Sequence, residues 1–237
     1  MFTGIIERTS TVVDAKKQRG GLIVRVKTPR GWKLKRGESV SVNGVCSTVA
    51  GVAKNAFGVD YMPETISKTT VGAFTKGTIV NLEQSVTAST ILGGHIVQGH
   101  IDGRGVVKDI ARRGGSKVIR VGIPKTLARY FVPKGSVCVD GVSLTVVDVD
   151  KNWFTPLETG RPKAVACPVA PKDGIGVALP ASRQARSSAG RFLTGFTVSL
   201  VAYTLTHTNL GYLKRGDKVN VEVDVLAKYL ERLCKCH

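Results

Sequence analysis

The chain is predicted to be all-β, with two tandem antiparallel barrels of about six strands each, related by duplication, and one short C-terminal helix. Three observations carry this. The stretch Gly37 to Val49, GESVSVNGVCSTV, returns 97 positions later as KGSVCVDGVSLTV at Lys134 to Val146. FGVDYMPETISKTTVG (Phe57 to Gly72) returns at an offset of 139 as FTVSLVAYTLTHTNLG (Phe196 to Gly211), and Glu83, ending GTIVNLE, returns as Glu222, ending DKVNVE. Within each copy, short runs of Val, Ile and Thr alternate with polar residues and stop at Gly, Pro or Asn, which is the signature of strands.

In the first copy these runs are Thr11 to Val13, Leu22 to Val26, Ser39 to Val42, Ser47 to Val52, Phe57 to Tyr61 and Thr78 to Leu82. With almost no helical periodicity among them, they are expected to close into a barrel, which leaves no free edge. The one helical signal inside the copy is Pro63 to Val71, where the proline suits a first helical position. Asn43-Gly44 and Asp140-Gly141 tolerate positive φ and mark tight turns. Such turns are expected to expose Cys46 and Ser143 at the barrel mouths.

The two offsets differ by 42 residues, present only in the second copy. This segment, 155–196, carries five prolines and a Ser/Ala/Arg stretch, and is expected to be an irregular insertion. It is flanked by Phe154-Thr155 and Phe196-Thr197, so one of these phenylalanines must fill the barrel position of Phe57. The expected domains are 1–92, 93–224 and a terminal helix at 225–237.

Ile91 to Gly105, ILGGHIVQGHIDGRG, joins the copies. Gly99-His-Ile-Asp lines up with Gly4-Ile-Ile-Glu, so this linker becomes the start of the second barrel. His95 and His100, five apart, share neither a helix face nor a strand face. Spacing leaves open a metal ligand, an acid-base group or a solvated polar position. At the C-terminal end Leu226, Tyr229, Leu230 and Leu233 form an amphipathic stripe. A helix this short needs packing to persist, so the stripe is expected to face the barrel or another subunit.

The 237 residues are 42% hydrophobic and 22% charged, with a formal charge of +18. The cations are spread along the chain without aromatic interleaving, which argues against a nucleic-acid partner and for solubility or attraction of anionic solutes. The five cysteines show no metal-site spacing and read as reduced thiols. The ending Cys234-Lys-Cys236-His237 could ligate a soft metal, but a frayed terminus rarely organises a site, and no metal is expected. No apolar run approaches the roughly 20 residues that cross a bilayer, and Met1-Phe-Thr-Gly lacks the features of a signal peptide. A cytoplasmic protein with no membrane partner is expected.

MFTGIIE, SVNGVCSTV, PETISKTT, GGHIVQGHIDG, KGSVCVDGVSLTV, YTLTHTNLG and VNVEVD, in this order on a duplicated chain, closely resemble the single-chain, duplicated-barrel riboflavin synthase family. The resemblance covers everything except 155–196. It implies six-stranded Greek-key barrels, a homotrimer joined through C-terminal helices, and active sites where the first barrel of one subunit meets the second barrel of its neighbour. The implied reaction is a dismutation. Two molecules of 6,7-dimethyl-8-ribityllumazine exchange a four-carbon unit, giving riboflavin and 5-amino-6-ribitylamino-uracil with no external cofactor. A non-catalytic lumazine- or flavin-binding antenna protein on the same fold is the alternative, against which Met1-Phe-Thr-Gly, Ser143 and His100 argue.

By position, the resemblance makes Phe2, Thr3 and Gly4 the segment that closes the pocket. It makes Ser39, Cys46, Thr48 and Thr65 ligand contacts of the first barrel, and Lys134, Ser143, Thr145, Val201 and Thr204 those of the second. His95, His100 and Asp224 match its remaining polar site positions. His100 with Thr145 or Ser143 is expected to manage the lumazine methyl proton, and Cys46 to act as nucleophile or proton shuttle. Without the resemblance, Thr48 and Thr145 suit strands by propensity, Cys46 suits a small core position, and Asp224 suits a helix cap.

The chain departs from the family pattern at two places besides the insertion. Ser47 stands where a leucine is usual, as Leu144 does in the second copy, so an apolar contact is expected to be lost. Ala202-Tyr203 replaces a usual Pro-Glu or Pro-His, which is expected to alter the polar rim around Thr204.

Overall fold

A computed structural model describes residues 1–18, 20–150 and 194–234. The first repeat forms β1 (Arg8–Gln18), β2 (Gly21–Lys27), β3 (Ser39–Val42), β4 (Val45–Ala53), β5 (Ala56–Tyr61) and β6 (Ile79–Gln84). The second forms β7 (Gly103–Arg113), β8 (Ser116–Ile123), β9 (Ser136–Val139), β10 (Val142–Asp150), β11 (Thr194–Leu200) and β12 (Lys218–Val223). Each set closes in the same order, β1-β2-β5-β4-β3-β6 and β7-β8-β11-β10-β9-β12. The fold is therefore two six-stranded antiparallel barrels. β2 pairs with β5 and β8 with β11, beyond their sequence neighbours, which is the Greek-key crossing.

Alternation decides which side chains enter each core. Along β2, Leu22, Val24 and Val26 are buried while the residues between them are more open. They join Val40, Val49, Phe57, Val59 and Leu82 in one core, and Ile119, Val121, Val137, Val146, Phe196 and Val198 build the equivalent core of the second barrel. Matching register shifts at Val49/Gly51 and Val146/Asp148, and at Val12/Asp14 and Val107/Asp109, bend the strands as closure requires.

Phe196, fully buried and paired with Val121, takes the place that Phe57 holds opposite Val26. Residues 194–196, expected in the insertion, are thus strand. The register carries them there, because Asp150 faces Gly195 as Ala53 faces Ala56. The chain leaves β10 and re-enters β11 where the first repeat makes its Lys54-Asn55 turn. Phe154 and the rest of the expected insertion lie outside the described residues.

α1 (Pro63–Lys68) begins with its proline at a first-turn position, and α2 (Ala202–His207) is its counterpart. α3 (Val225–Cys234) follows β12. Its stripe does not face the barrel, since Leu226, Tyr229, Leu230 and Leu233 are 59%, 66%, 62% and 64% exposed. The polar side docks instead. Lys228 pairs with Asp102 at 2.8 Å, and Glu231 with Arg129 at 3.2 Å.

The turns at Asn43-Gly44 and Asp140-Gly141 have positive φ throughout, as the sequence predicts. They do not open to solvent. The four residues are buried, and a Cβ on Gly44 would lie 2.6 Å from the Gly141 amide nitrogen, so the turns meet where the barrels touch. Asn81 Nδ2 donates to Asp140 O at 2.9 Å and Asn220 Nδ2 to Asn43 O at 2.8 Å, so the same asparagine of each repeat ties its barrel to the other.

At Ser47, where an apolar contact is expected to be lost, the structure shows polar contacts. Ser47 Oγ donates to Val45 O at 2.9 Å and meets Tyr61 OH at 2.8 Å. Tyr61, buried, stands where the second repeat has Leu200. Ser47 and Tyr61 thus stand where the second barrel has Leu144 and Leu200.

Candidate functional site

Two short segments cross between the barrels. Phe2 and Val97, equivalent in the repeat, pair with each other: Phe2 N donates to Val97 O at 2.7 Å and Val97 N to Phe2 O at 3.1 Å. The residues that follow reach the two small nucleophiles. Ser143 N donates to Gly4 O at 2.8 Å, and Cys46 N donates to Gly99 O at 2.9 Å. The first repeat's segment thus covers Ser143 of the second barrel, and the second repeat's segment covers Cys46 of the first. Glycine is required at both places. φ is +77° at Gly4 and +80° at Gly99, and a Cβ on either would sit 2.6 Å from the Cβ of Ser143 or Cys46.

Around Ser143 the polar groups converge. His95 Nδ1 lies 2.7 Å from Ser143 Oγ, and His95 N donates to Thr3 O at 3.2 Å. The ring is 9% exposed, and burial lowers its pKa against an opposing pull from the Asp224 carboxylate. A neutral imidazole beside a serine hydroxyl can take its proton. His100, expected to act with Thr145 or Ser143, is exposed and follows Gly99; the ring within hydrogen-bond distance of Ser143 in this chain is that of His95, next to Gly94, which passes against Ser143 with no room for a side chain.

Cys46 has a different setting. It is half-buried against a small cluster of Phe2, Val97 and Cys138. Burial and the nearby Glu222 push the Cys138 thiol well up, so it stays protonated.

Cross-strand register places Ser39 beside Thr48, and Ser136 beside Thr145, which puts the exposed Thr48 and Thr145 in equivalent positions. Thr65 and Thr204 lie half-buried on α1 and α2, and Val201, 57% exposed, stands at the start of α2. Lys134 has φ +70° and donates its N–H to Val146 O at 2.7 Å, whereas the first repeat has Gly37 at that turn, with φ +91° and the same bond to Val49 O. Asp224 Oδ1 accepts the Leu226 N–H at 2.9 Å, so it caps α3 as well as acting on His95. Phe2 and Thr3 are buried where the segments cross; the Thr3 hydroxyl donates to Glu83 Oε1 at 2.7 Å.

Tyr203 stacks on His207 with ring centroids 4.0 Å apart, where α1 carries the Glu64–Lys68 ion pair at 2.7 Å.

Sequence reasoning missed Glu83 and Glu222. Both are buried strand carboxylates, and both accept backbone N–H groups of the crossing segments. Their signal was present, since a carboxylate closing a buried strand recurs at the offset of the repeat.

Comparison with known proteins agrees with this architecture. Residues 3–85, 98–157 and 176–224 match the lumazine-binding domain family. The chain is 33% identical over 233 residues to riboflavin synthase of Actinobacillus pleuropneumoniae, covering 98% of this chain and 89% of that one. It is 34% identical over 240 residues to riboflavin synthase of Mycobacterium bovis, covering 99% and 98%. Among solved structures, LumP complexed with riboflavin superposes with a TM-score of 0.70 at 20% identity, covering 94% of this chain and 99% of that chain, which is a likeness of fold. The chain therefore belongs to the riboflavin synthase family, an enzyme of riboflavin biosynthesis built from two lumazine-binding domains.

Proposed function

We infer that the chain converts two molecules of 6,7-dimethyl-8-ribityllumazine into riboflavin and 5-amino-6-ribitylamino-uracil. The observation that carries this is that Ser143 and Cys46, equivalent in the repeat, each lie against the glycine of a crossing segment, which gives two matched places for a reaction whose two reactants are identical. The atoms of two substrates equal those of the two products, so no outside oxidant is required. A 7-methyl C–H of one lumazine is acidic because its carbanion delocalises into the ring, and a modest base suffices. Ser143 Oγ takes that proton and passes its own to His95 Nδ1; Asp224 steadies the imidazolium that results. Cys46, in the other half-site, acts as nucleophile or proton shuttle on the second lumazine. Holding the two rings face to face replaces a bimolecular encounter and contributes up to roughly 7 to 11 kcal/mol.

Ser39, Thr48 and Thr65 in the first barrel, and Lys134, Thr145, Val201 and Thr204 in the second, bind the ring and ribityl chain, with His100 at the rim. The complete site joins the first barrel of one subunit to the second barrel of another in a homotrimer. The outward stripe on α3 supports that assembly, being apolar surface that a partner would cover. The free thiols Cys46, Cys138 and Cys234 suit the cytoplasm. No described helix is long and apolar enough to cross a membrane.

The test is incubation of purified protein with 6,7-dimethyl-8-ribityllumazine. One riboflavin per two substrates consumed is expected; tight binding without turnover by folded protein would instead indicate a carrier.

A further inference from the structure

We propose that Glu83 and Glu222 are a matched pair of positioning residues, through which each barrel completes the half-site of the other. Glu83 lies on β6 of the first barrel. Its carboxylate receives Thr3 N at 2.6 Å and the Thr3 hydroxyl at 2.7 Å on Oε1, and Gly4 N at 3.0 Å on Oε2. The next backbone acceptor along, Gly4 O, is the one that takes the N–H of Ser143 in the second barrel. Glu222, on β12 of the second barrel, receives Gln98 N at 2.7 Å on Oε1 and Gly99 N at 3.0 Å on Oε2, and Gly99 O takes the N–H of Cys46 in the first.

The chemistry of the clasp is specific. Two successive N–H groups point to one place and need two acceptor oxygens, which a carboxylate supplies and an amide does not, because its NH₂ would face one of the donors. Glu83 is 3% exposed and Glu222 1%, positions at which an ionisable group is costly to keep. Burial raises both carboxyls, Glu222 to about 7, while the backbone donors pull them back down. Glu7 stands beside Glu83; Lys228, Asp102 and Cys138 surround Glu222. The same costly group is retained at the same place in both repeats, and in both it sets where a glycine lies against a nucleophile.

The proposal rests on Ser143 and Cys46 belonging to the two half-sites, and its test does not depend on turnover. Glu83→Gln and Glu222→Gln are made in the full chain. Alkylation of Cys46 by iodoacetamide is followed at pH 8, where Glu222 is ionised, by mass spectrometry of its peptide, and titration of His95 by NMR of its ring protons. Glu222→Gln is expected to raise the Cys46 rate at least fivefold and leave the His95 titration in place. Glu83→Gln is expected to move the His95 titration and leave the Cys46 rate within twofold. Each is expected to lower kcat for riboflavin formation tenfold or more with KM changed less than threefold. Equal acceleration at Cys46 in both variants would mean general loosening and would overturn the proposal, as would no change in either. Should a glutamine variant not fold, Glu83→Asp and Glu222→Asp, which draw the carboxylate back by one methylene, are expected to show the same crosswise pattern more weakly. If the wild type makes no riboflavin, the enzymatic assignment fails while the alkylation and NMR results still decide the clasp.

Discussion

Asn43 and Asp140 occupy equivalent turns and accept equivalent hydrogen bonds, Asn81 N to Asn43 Oδ1 and Asn220 N to Asp140 Oδ1, both at 2.7 Å, but only Asp140 can ionise. Burial raises its pKa to about 7, and burial raises Glu222 to about 7 as well. In the unfolded chain both groups ionise near pH 4. Between about pH 4 and 7 the folded chain therefore holds protons that the unfolded chain has released. Their contribution to stability is fully present below about pH 4 and is lost as pH rises through about 7, by up to about 1.4 kcal/mol per pH unit for each group. Asp140→Asn is expected to flatten this slope, with a larger gain in urea midpoint over wild type at pH 8 than at pH 5. Parallel curves would contradict it.

Lys134 holds a left-handed backbone conformation that Gly37 holds in the first barrel without strain. Lys134→Gly is expected to stabilise the fold by about 1 kcal/mol, less the added freedom of the unfolded glycine, while raising KM. A variant both less stable and unchanged in KM would show that the lysine serves the turn and not the substrate.

The Ser47-Tyr61 pair is expected to behave as one unit. Ser47→Leu alone overfills the first barrel and is expected to cost roughly 1 to 3 kcal/mol. Adding Tyr61→Leu, which copies Leu144 and Leu200, is expected to recover most of it. Simple additivity in a double-mutant cycle would count against direct coupling.

Much of the fold was legible because both offsets of the repeat could be read from identical residues, and because period-2 burial left its mark on β2 and β8. The crossing of the segments was not legible. Gly4 and Gly99 announce a close approach but not the barrel approached, which depends on how Gly44 and Gly141 bring the turns together. The resemblance pointed to His100 acting with Thr145 or Ser143, and it gave no sign that Gly94 brings the ring of His95 against Ser143. The outward stripe of α3 was visible in sequence, but its direction is decided by the Lys228–Asp102 and Glu231–Arg129 pairs, which no periodicity reveals.

That direction is testable. Leu226→Asp with Leu230→Asp is expected to convert an assembled species to monomer by sedimentation, and to abolish turnover with the barrels still folded. A monomeric wild type would remove the basis for a site shared between subunits.

His95→Ala is expected to lower kcat by at least about a hundredfold, the scale of a general base. His100→Ala is expected to act mainly on KM. The reverse order of effects would assign the proton to the exposed histidine.

The joining of two different half-sites is tested most directly by mixing Cys46→Ala and Ser143→Ala chains, each inactive alone, through co-refolding. Mixed assemblies contain some sites in which an intact first barrel meets an intact second barrel, so riboflavin formation is expected to return. Mixed oligomers, demonstrated by mass, that stay as inactive as their parents would contradict the account.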